Sequence, residues 1–201
     1  MNEQAVADAF RAGLGIPLAM AWSADAAQGP EWKGNPNAHA RRISAWRRGR
    51  KALGEVMGQL GRKEDPTRWA APGPGLSLAH TEDWAVAVGR LDGGLVGIDL
   101  ENVDREVSLG ALLRLGIGPE VSGAEVVVAR LVLWTALEAV HKARCVEGGL
   151  IPGQIRLLPE GPGHGRAEAD GKDYRWLALQ TERGLVTIAA PMADSVERPA
   201  T

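Results

Sequence analysis

Asp99 and Glu101 stand two residues apart in Val96-Gly97-Ile98-Asp99-Leu100-Glu101. Read as a strand, this stretch sends both carboxylates to one face and leaves Val96, Ile98 and Leu100 on the other. About thirty residues on, Trp134-Thr135-Ala136-Leu137-Glu138-Ala139-Val140-His141-Lys142-Ala143 reads as a helix. Glu138 and Lys142 are four apart there and share one helix face. Two strand carboxylates and one helix carboxylate can hold a hard divalent cation such as Mg2+, which takes oxygen ligands and keeps waters and phosphates in its shell. A lysine one turn beyond Glu138 would sit beside the same centre. The blander use of these groups is solubility: acids at an exposed strand end, and a surface Glu–Lys pair worth about 0.3 kcal/mol.

Taken in order with two further stretches, these residues resemble the 4'-phosphopantetheinyl transferase superfamily, in its larger single-chain, surfactin-synthetase-activating class. Gly97-Ile98-Asp99-Leu100-Glu101 resembles one signature, and Trp134 through Ala143 resembles a second. Leu76-Ser77-Leu78-Ala79-His80-Thr81 resembles the family's histidine-bearing strand end. Arg41-Arg42-Ile43-Ser44-Ala45-Trp46-Arg47-Arg48-Gly49-Arg50 resembles its arginine-rich helix. The four keep the family's order and rough spacing over residues 40 to 158. The chain departs from the pattern at Leu137, where the family carries a lysine that helps bind coenzyme A phosphates.

The resemblance implies a fold and a chemistry. The fold is α+β, with two similar halves forming a pseudo-dimer and the active site in the cleft between them. Residues 1–95 would be the N-terminal half, 96–190 the C-terminal half and 191–201 a flexible tail. Arg42, Arg50 and His80, with Lys142, would bind coenzyme A, and Asp99, Glu101 and Glu138 would bind Mg2+. Glu138 and Lys142 would be catalytic, with Glu138 taking the proton of a carrier-protein serine as it attacks the β-phosphate. Arg62 or Lys63 would add a basic contact to the nucleotide. The products are a pantetheinylated acyl- or peptidyl-carrier protein and 3',5'-ADP. Two other functions use the same groups. One is a degenerate homologue that binds coenzyme A or a carrier protein without transfer, which Leu137 favours. The other is an unrelated Mg2+-dependent phosphoesterase.

Bulk properties narrow the field. The chain has 201 residues, 45% of them hydrophobic and 24% charged, which suits a globular protein with a sizeable core. A net charge of -2 argues against nucleic acid as an electrostatic partner. The single cysteine, Cys145, excludes an internal disulfide and fits a cytoplasmic, reducing setting. The first residues lack the cationic start and apolar run of a secretory signal. No apolar run approaches the ~18 residues that span a bilayer. A monomer is expected, as for the family.

Several elements must position these groups. Residues 3 to 13 suggest a short helix with Ala5, Ala9 and Phe10 inward, and Ile16 to Trp22 a buried strand. A Gly- and Pro-containing loop covers 23 to 38. The helix from about His39 to Leu60 buries Trp46, Leu53, Val56, Met57 and Leu60 and stops at Gly61. Its first half carries Arg41, Arg42, Arg47, Arg48, Arg50 and Lys51. These form either a solvated basic face or a phosphate clamp, with Arg42 and Arg50 two turns apart on nearly one face. The basic residues outside the clamp would meet the acidic helix of a carrier protein. Leu76–Leu78 and Trp84–Arg90 read as strands, and Asp92-Gly93-Gly94 as a hairpin turn into the acidic strand. Leu109 to Leu115 suggests a short helix. Ser122 or Gly123 would cap a long helix from about Ala124 to Arg144, with Val127, Leu131, Trp134, Leu137 and Val140 mostly in the core. Ile151–Leu158 is a strand, Pro159–Lys172 a loop with a solvated His164, and Tyr174–Gln180 with Leu185–Ala190 a final hairpin.

Overall fold

The computed structural model of the protein describes residues 2–35, 38–70, 73–117 and 126–192, with side chains in the last stretch from 130. The fold is mixed α+β with two antiparallel sheets. Helix α1 (Glu3–Leu14) begins where Asn2 Oδ1 accepts the Ala5 N–H at 2.8 Å, and ends at left-handed Gly15. Its buried stripe is Val6, Ala7, Phe10 and Leu14, so Phe10 points inward as the sequence suggested, while Ala5 is exposed and Ala9 half-buried. Strand β1 (Leu18–Ser23) is buried along its whole length. Leu18, Met20 and Trp22 face α1, while Ala19 and Ala21 face the next helix, α2 (Ala40–Gln59). Gly61, at φ 69°, closes the chain after α2.

Strands β2 (Leu76–His80) and β3 (Ala85–Arg90) complete a three-stranded sheet ordered β1-β3-β2. Strand β4 (Gly97–Glu101) leaves that sheet. It pairs with β8 (Gly184–Pro191), Asp99 lying opposite Thr187. Asp92-Gly93-Gly94 therefore turns the chain from one sheet to the other and does not close a hairpin. The reason lies in sequence order: both neighbours of β3 are already supplied by β1 and β2. Ser77 Oγ of β2 accepts the Ile98 N–H at 3.1 Å, so the two sheets meet edge to edge at β2 and β4.

Helices α3 (Leu109–Arg114) and α4 (Val126–Ala143) follow, and α4 lies across β4 and β8. The expected cap at Ser122 or Gly123 lies outside the described residues, as do the side chain of Val127 and the tail beyond Met192. The last strands, β5 (Ile155–Gly161), β6 (His164–Ala169), β7 (Lys172–Thr181) and β8, give the order β4-β8-β7-β6-β5. The expected loop at 159–172 is mostly strand. In β6, Gly165, Ala167 and Ala169 alternate inward with exposed His164, Arg166 and Glu168. This is period-two patterning with small inward residues, so the hydrophobic signal is faint. Among the described residues, no helix is long and apolar enough to cross a membrane.

Candidate active site

Strand β4 splits its side chains as the spacing requires. Ile98 and Leu100 enter the core shared with α1, β1, β3 and β8, while Asp99, 6% exposed, turns toward α4. Helix α4 comes unusually close. A Cβ at Gly97 would collide with the backbone of Ala139 and Ala143, so glycine is needed here for close approach and not for its φ. Ala136, Ala139 and Ala143, all fully buried, keep the helix side of this contact flat.

The close crossing brings Lys142 onto the acidic strand. Its Nζ donates to Asp99 Oδ1 at 2.7 Å and to the Ile98 carbonyl at 3.0 Å. Asp99 Oδ2 is buried with no hydrogen-bond partner. Glu138, one turn before Lys142, is partly buried. Burial pushes its carboxyl above the ordinary glutamate value, and the charge of Asp99 pushes the same way against Lys142, His141 and Arg105. Glu101 pairs with Arg105, whose guanidinium lies 5.1 Å from the centroid of Trp134. Among the described residues, no three of His, Cys, Asp and Glu form a ready-made metal cage. Asp99 and Glu138 are within electrostatic reach of each other, while Glu101 is tied to Arg105. An orphaned, buried carboxylate oxygen beside a second acid is nonetheless the donor chemistry that a hard cation takes.

Leu137 is 1% exposed and belongs to the core under α4. A leucine at this helix position packs, and the missing positive charge is not a gap in the site wall. Sequence reasoning missed Thr135 and Thr187, both fully buried, whose hydroxyls lie 2.7 Å apart behind Asp99's strand position. It also missed Arg105. The four-residue step from Glu101 to Arg105 was an available signal for that pair.

The basic half of α2 divides its residues by partner. Arg47 donates to the carbonyls of Ala27 and Gly29, and Lys51 to Gln28 Oε1, so these two pin the preceding loop. Arg48 donates to the Glu82 carbonyl, and Arg41 pairs with the Glu82 carboxylate at 3.2 Å. Arg42 and Arg50 take no acceptor among the described residues. Arg50 lies between two indoles, 5.6 Å from the centroid of Trp46 and 5.9 Å from that of Trp69. Its Nε and Nη1 are buried and unpartnered. Burial lowers its pKa, with Asp65 opposing the shift.

Arg42, Arg50 and His80 line one cleft of about 1140 Å3, together with Trp32, Trp46 and Arg48. Trp46 is half-buried and forms cleft wall rather than deep core. Arg62 is bound to Glu64 at 2.9 Å, and neither it nor Lys63 lines this cleft. His80 ends β2 and opens onto the cleft. Desolvation of its ring lowers its pKa, and the charges of Lys142 and Arg48 add to this, with Asp99 opposing. His80 thereby joins the arginine cleft to the acidic strand. A smaller hollow of about 210 Å3 lies between Trp69, Leu76–Leu78, His141 and Lys142.

No protein-family model matches the chain, and no curated protein matches it. The residues themselves therefore carry the functional argument. They offer a cleft with two guanidinium groups that take no acceptor among the described residues and a histidine, and beyond it a buried and a partly buried carboxylate with a lysine.

Proposed function

We propose that the protein is an Mg2+-dependent 4'-phosphopantetheinyl transferase, moving 4'-phosphopantetheine from coenzyme A to a serine of an acyl- or peptidyl-carrier protein. The observation that carries this reading is Asp99. One of its oxygens is held by Lys142, its other is buried and unpartnered, and its charge destabilises ionised Glu138. A site in this condition favours a cation between the acids and a phosphate beside the lysine.

The strand order supports two similar halves, 1–95 and 96–190, arranged as a pseudo-dimer with 191–201 as a tail. In the first, β1 is followed by α2 and the hairpin β2–β3, and β1 pairs with β3. In the second, β4 is followed by α4 and, later, the hairpin β7–β8, and β4 pairs with β8.

In this reading Arg42, Arg50 and His80 hold the phosphates of coenzyme A in the cleft. Mg2+ would be held by Asp99, Glu101 and Glu138, and the chemistry it supplies is neutralisation of pyrophosphate charge. Lys142 stabilises negative charge on the same phosphates. The carrier serine Oγ attacks the β-phosphorus. The new Oγ–P bond forms as the bridging P–O bond breaks, and 3',5'-ADP leaves. Glu138 takes the serine proton, directly or through a water.

The test is mass spectrometry of an apo carrier protein after incubation with this protein, coenzyme A and Mg2+. A mass increase of one phosphopantetheine group is expected, together with release of 3',5'-ADP. Coenzyme A binding without any such shift across acyl- and peptidyl-carrier proteins would sink the transferase reading and leave a binding-only homologue. Release of free phosphate without a carrier protein would point to a phosphoesterase.

A further inference from the structure

The loop before α2 contributes a side chain to the cleft that the four motifs do not contain. Trp32 lines the 1140 Å3 cleft and also a neighbouring hollow of about 530 Å3, which it shares with Trp46, Lys33, Asp65 and Thr67. Its orientation is built. The indole Nε1–H donates to the Asn35 carbonyl at 3.0 Å. Its ring meets Trp46 edge-to-face, with centroids 5.1 Å apart and planes at 83°. Gly34 packs against its six-membered ring so closely that a Cβ there would stand 2.7 Å from Cε2 and overlap the outer ring atoms. The base of this loop is fastened to α2 by Arg47 and Lys51.

The same cleft is lined by the two guanidinium groups that take no acceptor among the described residues, Arg42 and Arg50. A planar aromatic wall in one cleft with guanidinium groups that lack acceptors matches a ligand with a flat, weakly polar ring joined to phosphates. That description fits a nucleotide. A bare polyphosphate has no use for the indole, and an aromatic compound without phosphates has no use for the arginines.

We propose that Trp32 is the stacking platform for the purine of the nucleotide whose phosphates Arg42 and Arg50 hold. This rests on reading the cleft as the coenzyme A phosphate site, and it adds which group recognises the base. Gly34 acts as the support that leaves the indole room to lie where it does.

The test is isothermal titration of the full chain with two probes, adenosine 3',5'-bisphosphate and inorganic pyrophosphate. Trp32→Ala should weaken the adenosine ligand about tenfold, the usual worth of a base–aromatic stack, and leave pyrophosphate unchanged. Trp32→Phe should keep most of the affinity. Gly34→Ala, which drives a methyl into the ring, should weaken the adenosine ligand while the protein stays folded by circular dichroism. Equal weakening of both probes in Trp32→Ala would mean a structural role and overturn the proposal. Unchanged adenosine affinity in Trp32→Ala would overturn it while leaving the phosphate cleft intact. Failure of the wild-type protein to bind either probe would remove the cleft reading and the proposal together.

Discussion

Gly97 of β4 lies against Ala139 of α4 with no room for a methyl group between them, since a Cβ at 97 would overlap the Ala139 carbonyl and the Ala143 amide nitrogen. Both obstacles are backbone atoms, which cannot swing aside as a side chain can. Gly97→Ala should therefore push the helix off the strand and cost about 3 kcal/mol, the upper part of the range for overpacking. Urea denaturation checks this. The same shift should separate Lys142 from Asp99 and reduce the proposed transfer more than the proposed nucleotide binding.

The Lys142–Asp99 pair is buried more on the acid side, with side chains 28% and 9% exposed. Removing the lysine leaves the Asp99 charge without its donor. Lys142→Met should destabilise by about 2 kcal/mol, below the value for a fully buried pair because the lysine is partly open to solvent. Adding Asp99→Asn to that variant should recover much of the loss, since the stranded charge goes with it. Thermal melting of the two single variants and the double variant at neutral pH tests this coupling.

How much of this was legible in the sequence depends on what kind of signal a residue sends. Spacing alone put Asp99 and Glu101 on one face of β4, and Glu138 and Lys142 on one face of α4. Spacing could not say that Lys142 reaches Asp99, because that depends on how closely the helix crosses, which Gly97, Ala139 and Ala143 decide. Six basic residues on α2 looked alike in sequence. Only their partners separate Arg42 and Arg50 from the others, and those partners lie in the preceding loop and in the turn after β2. Strand β6 escaped because its inward residues are Gly and Ala, which carry little hydrophobic signal. The hairpin expected at Gly93-Gly94 failed because turn chemistry is local, while the choice of sheet is made by strands far along the chain.

Glu138 carries a pH signature. Its folded-state pKa is raised by burial and by Asp99, so the folded protein holds this proton more tightly than the unfolded chain does. The resulting stabilisation is complete below the ordinary glutamate value and is lost as pH rises through the raised one. Glu138→Gln abolishes that loss. The variant should melt higher than wild type at mildly alkaline pH, and the gain should vanish near the ordinary glutamate pKa. Mg2+ should raise the melting temperature of wild type more at alkaline than at acid pH, and have little effect on the variant. A melting series across pH, with and without Mg2+, reads both outcomes.

His80 should respond in the opposite sense. Desolvation of its ring, then the charges of Lys142 and Arg48, hold its pKa below the ordinary histidine value, so the free protein keeps the ring neutral further into acid. For folding, this stabilisation is present above the unfolded histidine pKa and is lost as pH falls through the folded one. For binding, the sign reverses. A phosphate group brought beside the ring favours its protonated form, so the bound pKa lies above the free one and binding takes up a proton between the two. Affinity for adenosine 3',5'-bisphosphate should therefore strengthen as pH falls through that interval. Titrations in two buffers of different ionisation enthalpy should register the proton. His80→Ala should bind more weakly and lose this proton uptake. A wild-type titration whose heat is independent of the buffer would place His80 away from the bound phosphates.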